Sequence, residues 1–225
     1  MLIGVSTLPF LEFQNASYIK DDKVILKNIT VSISEGDYIS LVGPSGSGKS
    51  TFLRLCCNLI SATKGDIIFK DKSVLEHNPL ELRKKIAYCF QNPYLFGDTV
   101  MDNVFFPYKI RDIEVDFKRI EELFLVFNLD KDYLLKQVEN LSGGEKQRIA
   151  LIRSILFKPE VLLLDEVTSA LDVDNAFVVE NVIKSLNDNG STIIWITHNP
   201  KQARKNANKL LTIETGEIKS LEVLK

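Results

Sequence analysis

Gly43-Pro44-Ser45-Gly46-Ser47-Gly48-Lys49-Ser50 follows the β-branched and aromatic run Tyr38 to Val42 and leads into Lys49 to Ile60, which reads as a helix. This is the G-x-x-x-x-G-K-[ST] pattern at a strand-to-helix junction. Glycines there let the backbone curl until its N–H groups face an anion at the positive end of the helix. Lys49 is expected to reach the β- and γ-phosphates of a nucleotide, and the Ser50 hydroxyl to ligate Mg²⁺. A glycine-rich turn with a capping serine is the alternative, and the flanking strand and helix argue against it.

Outward from this loop the pattern is that of an α/β protein. Phe10 to Ala16 and Val24 to Ile33 read as strands, with Ile29, Val31 and Ile33 alternating with polar neighbours. Gly65 to Phe69 and Ile86 to Phe90 are further short strands. From about Val100 to Phe157 the apolar period turns helical, with Ile120, Leu123, Phe124 and Phe127 at i, i+3, i+4 and i+7. After Pro159, strand signals return in Val161 to Leu164 and Thr192 to Thr197, around a helix striped with Val179, Val182, Ile183 and Leu186. Buried strands alternating with helices predict a parallel, doubly wound sheet interrupted by a helical insertion.

Composition narrows the function classes. The 225 residues are 45% hydrophobic and 26% charged, which is ordinary for a folded domain and excludes a disordered chain. Lys+Arg 28 against Asp+Glu 30 leaves a net charge of −2, without the basic footprint of a nucleic-acid binder. No run approaches the length of a membrane span. Met1 to Phe10 is apolar but lacks a basic n-region and a cleavage site, so it is not read as a signal peptide, and a cytoplasmic location is expected. Cys56, Cys57 and Cys89 form no CxxC pair and read as reduced, buried thiols.

Two further stretches carry chemistry. Val161-Leu162-Leu163-Leu164-Asp165-Glu166 is an apolar strand that delivers two carboxylates to its C-terminal end. Neighbouring strand residues point to opposite faces, so Asp165 suits a Mg²⁺ shell and Glu166 the polarisation of an attacking water. Leu141-Ser142-Gly143-Gly144-Glu145 reads either as a capping box or as a second anion site, about a hundred residues from the first.

Gly43 to Thr51, Gln91, Leu141 to Arg148, Val161 to Glu166, Ser169-Ala170-Leu171-Asp172 and His198 resemble, in order and spacing, the Walker A, Q-loop, signature, Walker B, D-loop and switch histidine of ATP-binding cassette (ABC) ATPases. The resemblance spans about residues 10 to 220. It implies a P-loop NTPase (RecA-like) core with an N-terminal antiparallel β subdomain and an inserted α-helical subdomain. One ABC domain would occupy 1–225, with 1–90 and 158–225 as core and about 91–157 as the helical subdomain. It further implies ATP and Mg²⁺ as cofactors and a homodimer sandwiching two ATPs, each held by one subunit's P-loop and the other's Ser142, Gly143 and Gly144. Tyr18, placed upstream of the first strands, matches the aromatic that stacks on adenine. Gln91 would sense Mg²⁺ and water, His198 would contact the γ-phosphate, and Asp172 would cross the dimer interface. Glu145 stands where Gln is also frequent, and Asn199 where Asp is usual; neither removes a ligand or a base.

Tyr88 to Arg111 and Leu141 to Asp172 are most similar to the ATP-binding subunits of bacterial Fet-type iron exporters. That resemblance implies an energising ATPase on the inner face of the membrane, with a separate permease that contacts the solute. Phe105, Phe106, Pro107 and Tyr108 read either as a surface for a coupling helix or as lobe packing. An importer ATPase is the alternative within transport. A soluble ABC ATPase would usually show a coiled-coil interruption or a second cassette, and a nucleotide kinase would leave Leu141 to Glu145 and His198 unexplained.

Overall fold

The computed structural model describes residues 10–224. The reading of Met1 to Phe10 therefore falls, but for Phe10, outside the described residues. Strands β1 (Leu11–Lys20) and β2 (Lys23–Ile33) pair antiparallel, and β3 (Tyr38–Val42) crosses to a second sheet. Helix α1 (Lys49–Cys56) follows, then β4 (Lys64–Phe69) and β5 (Lys72–Ser73), which complete a sheet of order β2-β1-β4-β5. Next come α2 (Pro79–Lys85), β6 (Ile86–Cys89), and a helical lobe of α3 (Val100–Lys109), α4 (Phe117–Val126) and α5 (Gly143–Ile155). The chain ends in β7 (Val161–Asp165), α6 (Val173–Asp188), β8 (Thr192–Ile196), α7 (Pro200–Lys205), β9 (Lys209–Glu214) and β10 (Glu217–Val223).

The second sheet has the order β10-β9-β3-β8-β7-β6 and is parallel except for β10. Its central strands β3, β7 and β8 are buried on both faces, as their near-continuous apolar sequences require. Val161, Leu163, Ile194 and Ile196 face α1 and the antiparallel sheet, where Phe13 stacks on Phe52 at 4.2 Å between centroids. Leu162, Leu164, Ile193 and Trp195 face a second core built from α3, α4, α5 and α6. The stripe Ile120, Leu123, Phe124 and Phe127 lies buried there, as its period predicts.

Three features depart from the sequence reading. The helix after the loop stops at Cys56 rather than Ile60, because Asn58 turns to φ +50° and Leu59 N–H closes back on Arg54 O at 2.9 Å. Strand β1 runs on through register shifts to Lys20, with Asn15 at φ +51°, so Tyr18 sits inside it and not upstream of the strands. The β9–β10 hairpin has no counterpart in the sequence reading, since β10 is an exposed edge strand that buries no apolar face.

The three cysteines are free and buried, and burial pushes the Cys57 and Cys89 thiols up to about 11. Among the described residues no helix is long and apolar enough to cross a membrane. Phe52, in the first turns of α1, has no exposed surface and holds the helix against Phe13 of β1. Phe52→Ala is expected to cost about 3–5 kcal/mol in chemical denaturation, from lost burial and an unfilled cavity.

Candidate functional site

The glycine loop is held by conformations that side chains would forbid. Gly43 has φ +144°, and a Cβ there would lie 2.0 Å from Ile213 O. Gly48 has φ +103°, and its Cβ would lie 2.6 Å from Leu26 Cδ2. Pro44, Ser45 and Gly46 form the exposed outer curve, while Ser47, Gly48 and Lys49 are buried beneath it and Ser50 and Thr51 are half-buried in the first turn of α1. The Lys49 ammonium donates to the carbonyls of Gly43 and Pro44 at 2.9 and 2.8 Å. Burial lowers its pKa, against the upward pull of Glu166 and Asp165. Ser47 Oγ is buried without a partner, a hydroxyl suited to a phosphate oxygen.

Four strands deliver their C-terminal ends to the same edge. Asp165, the last residue of β7, accepts from Ser50 Oγ at 3.1 Å and from the Tyr88 hydroxyl at 2.6 Å. Hydroxyl and carboxylate are hard oxygen ligands, so the Ser50–Asp165 pair fits Mg²⁺. Gln91, just past β6, instead spends its amide on Glu166, with Nε2 donating to Oε2 at 2.9 Å. His198, just past β8, places Nε2 3.0 Å from Glu166 Oε1. An ionised carboxylate needs a donor there, which assigns the proton to Nε2.

The expectation that Asp165 and Glu166 diverge by strand alternation is corrected by the backbone. Glu166 has left the strand and sits at φ +51°, with its N–H on Ile196 O at 3.2 Å. The left-handed turn swings its side chain to Gln91 and His198, a conformation that costs a non-glycine residue about 1–3 kcal/mol and that concentrates at functional positions.

Ser142 to Glu145 is both a capping box and an open surface. Ser142 Oγ accepts from Glu145 N at 3.3 Å, and the Glu145 carboxylate accepts from Ser142 N at 2.7 Å. The Tyr133 hydroxyl, followed by those caps, holds the Glu145 carboxyl down at about 2. Gly143 has ordinary helical geometry, and a Cβ on it would meet nothing within 4 Å. Among the described residues no hydrogen bond links Ser142, Gly143 or Gly144 to the glycine loop of the same chain.

The inward side of α5 ties this surface to the rest of the site, through Gln147 and Arg148 of the signature and through Asn175, which the sequence did not single out. Gln147 Nε2 donates to Phe90 O at 3.3 Å, beside Gln91. Arg148 donates to Asn175 Oδ1 at 2.9 Å, and Asn175 caps onto Asp172 through its amide and its N–H, both at 2.8 Å. Asp172 is thus the N-cap of α6, not a plain turn, and those hydrogen bonds lower its pKa. Asn103, fully buried, clamps the segment after Gln91 through Phe96 and Thr99. Tyr18 is not drawn into the Glu166 cluster; it is half-buried beside the α1 core and pairs with Leu26, the residue under Gly48. A cleft of about 560 Å³ opens between Glu166, His198, Ser169 and the start of α6.

Residues 26–169 match the family described as ABC transporter. The chain belongs to that family. It is an ATP-binding ATPase on the P-loop fold that the sequence pattern implied. It is 42% identical to the "Probable iron export ATP-binding protein FetA" of Escherichia coli, over 92% of each chain. It is 34% identical to the "Fe(3+) ions import ATP-binding protein FbpC" of Fusobacterium nucleatum, covering 94% of this chain and 57% of that one. Among solved structures, the dimeric ATP-binding cassette MJ0796 with ADP and Pi bound superposes with a TM-score of 0.86 at 29% identity, covering 96% of this chain and 99% of that one. The glycine contacts give the ABC ATPase site a direct test. Gly43→Ala is expected to weaken ATP binding by about tenfold or more in calorimetry, since the loop cannot keep its path around a Cβ.

Proposed function

We propose that this chain is the energising subunit of an export-type ABC transporter with iron as its solute, working with a separate permease at the inner face of the membrane. Two copies close head to tail around two ATPs. The observation that carries the reading is the meeting of Glu166 with Gln91 and His198 at the edge that also holds the glycine loop and Asp165. The match to FetA over 92% of both chains supports the export assignment over import. The importer relative is less identical, and the match covers 57% of its length.

Gly43 to Thr51 would wrap the phosphates, with Lys49 on the β- and γ-phosphates and Tyr18 against adenine. Ser50 and Asp165, with Gln91 at the edge of the shell, would hold Mg²⁺, which supplies charge neutralisation on the transferred phosphoryl group. Glu166 polarises the attacking water, and His198 contacts the γ-phosphate. Ser142, Gly143 and Gly144 contact the partner's γ-phosphate, which accounts for a glycine at 143 with no neighbour of its own to avoid. Asp172 reaches across the interface, tied through Asn175 and Arg148 to the helix that carries the signature. Residues 1–90 and 158–225 act as core and about 91–157 as the helical subdomain between them.

The permease surface is the groove beside the Q-loop, where Phe90, Phe106 and Ile110 are 43%, 40% and 39% exposed. The aromatic run divides between the two readings given to it. Phe106 faces this groove, whereas Tyr108 is buried in the lobe and Phe105 packs against Phe117.

Glu166→Gln should cut hydrolysis by about 10²–10⁴-fold while ATP still binds, because the general base is lost and the phosphate cradle is kept. Light scattering of that variant should then show a dimer only with Mg-ATP; a monomer with ATP demonstrably bound would refute closure by the subunit alone. Lys49→Ala should instead weaken ATP affinity itself in calorimetry, through lost charge at the phosphates. ATP-driven iron movement into inverted vesicles that carry the permease tests the solute and direction, and uptake of a different solute would overturn the assignment.

A further inference from the structure

Asp165 is gripped by a residue outside the ABC motifs. Tyr88 in β6 pairs in register with Leu163 of β7, so its side chain shares a sheet face with Leu163 and, two residues on, with Asp165. Its hydroxyl donates to Asp165 Oδ2 at 2.6 Å, while Ser50 Oγ donates to Oδ1 at 3.1 Å. The two carboxylate oxygens are therefore divided: one belongs to the phenol and the other faces α1. The Tyr88 ring is set edge-on against Phe90 at 4.6 Å, and Arg54 of α1 lies against its hydroxyl. A phenylalanine would fill the same space; only the hydroxyl explains the tyrosine.

We propose that Tyr88 is a positioning residue for the Mg²⁺ shell, its phenol locking the Asp165 carboxylate in the orientation that presents Oδ1 to the metal beside Ser50. This rests on the reading of Ser50 and Asp165 as the metal pair. A neutral donor suits the task, because it fixes the rotamer without cancelling the charge that attracts a divalent cation, as an ammonium or guanidinium would. Partners behind a ligand typically account for about 10–100-fold in metal affinity.

The test uses the full chain and Mn²⁺ as the probe, followed by electron paramagnetic resonance of the free ion in the presence of saturating ADP. Calorimetry of ADP in EDTA runs in parallel. Tyr88→Phe is expected to raise the Mn²⁺ dissociation constant by about tenfold or more and to leave metal-free ADP affinity unchanged. In the Asp165→Asn background the same substitution should add no further loss, since the phenol acts through that carboxylate. An unchanged Mn²⁺ constant in Tyr88→Phe, or an equal loss with and without metal, overturns the proposal, the latter by showing that the phenol serves packing. Should the wild type gain no Mn²⁺ affinity from ADP, the metal-pair reading falls and the proposal falls with it; a normal wild type beside an unaffected Tyr88→Phe removes the proposal alone.

Discussion

Along β7 the parallel sheet is closed to water on both faces, because α1 and the antiparallel sheet cover Val161 and Leu163 while the helices of the lobe and α6 cover Leu162 and Leu164. A strand so enclosed cannot slip by one residue without driving Asp165 into the core unpaired, where its charge would cost several kcal/mol. The register of β6, β7 and β8 is fixed by the same burial. Polar residues follow the last apolar one in each strand, and so Gln91, Asp165 and His198 emerge along one edge. That edge is where a doubly wound sheet binds its ligand.

At the edge, the chain spends hydrogen bonds on its carboxylates in an ordered way. Asp165 is met by two hydroxyls and Glu166 by an amide and an imidazole. None of these four donors is a permanent cation, so neither acid is tied up in an ion pair with a lysine or arginine. Lys49 is the one cation in the loop itself, and its ammonium donates to carbonyls of its own turn rather than to a carboxylate. The separation keeps positive charge at the phosphate end of the site and negative charge at the metal end.

Helix α5 joins the two halves of this arrangement. Its outer start is exposed at Ser142 and Gly143, where a Cβ on Gly143 would meet no side chain. Its inner residues reach the Q-loop through Gln147 and the cap of α6 through Arg148. The signature is thus tied to both loops by hydrogen bonds, with Gln147 and Arg148 themselves buried.

The sequence by itself determined the layer order, the strand-loop-helix around the phosphate loop and the residues at the strand ends, because periodicity and glycine placement are local properties that any alternative fold would violate. Tertiary structure decided what those residues touch. It moved Tyr18 into β1 and turned Glu166 into the left-handed region, which nothing in the neighbouring residues announces, and it ended α1 at Cys56, where Asn58 was the one local signal. It also brought Tyr88 to Asp165 across 77 positions of chain. The tyrosine looked like one more apolar strand residue, since the partner of a hydroxyl is set by the pairing of distant strands and leaves no trace in the local pattern.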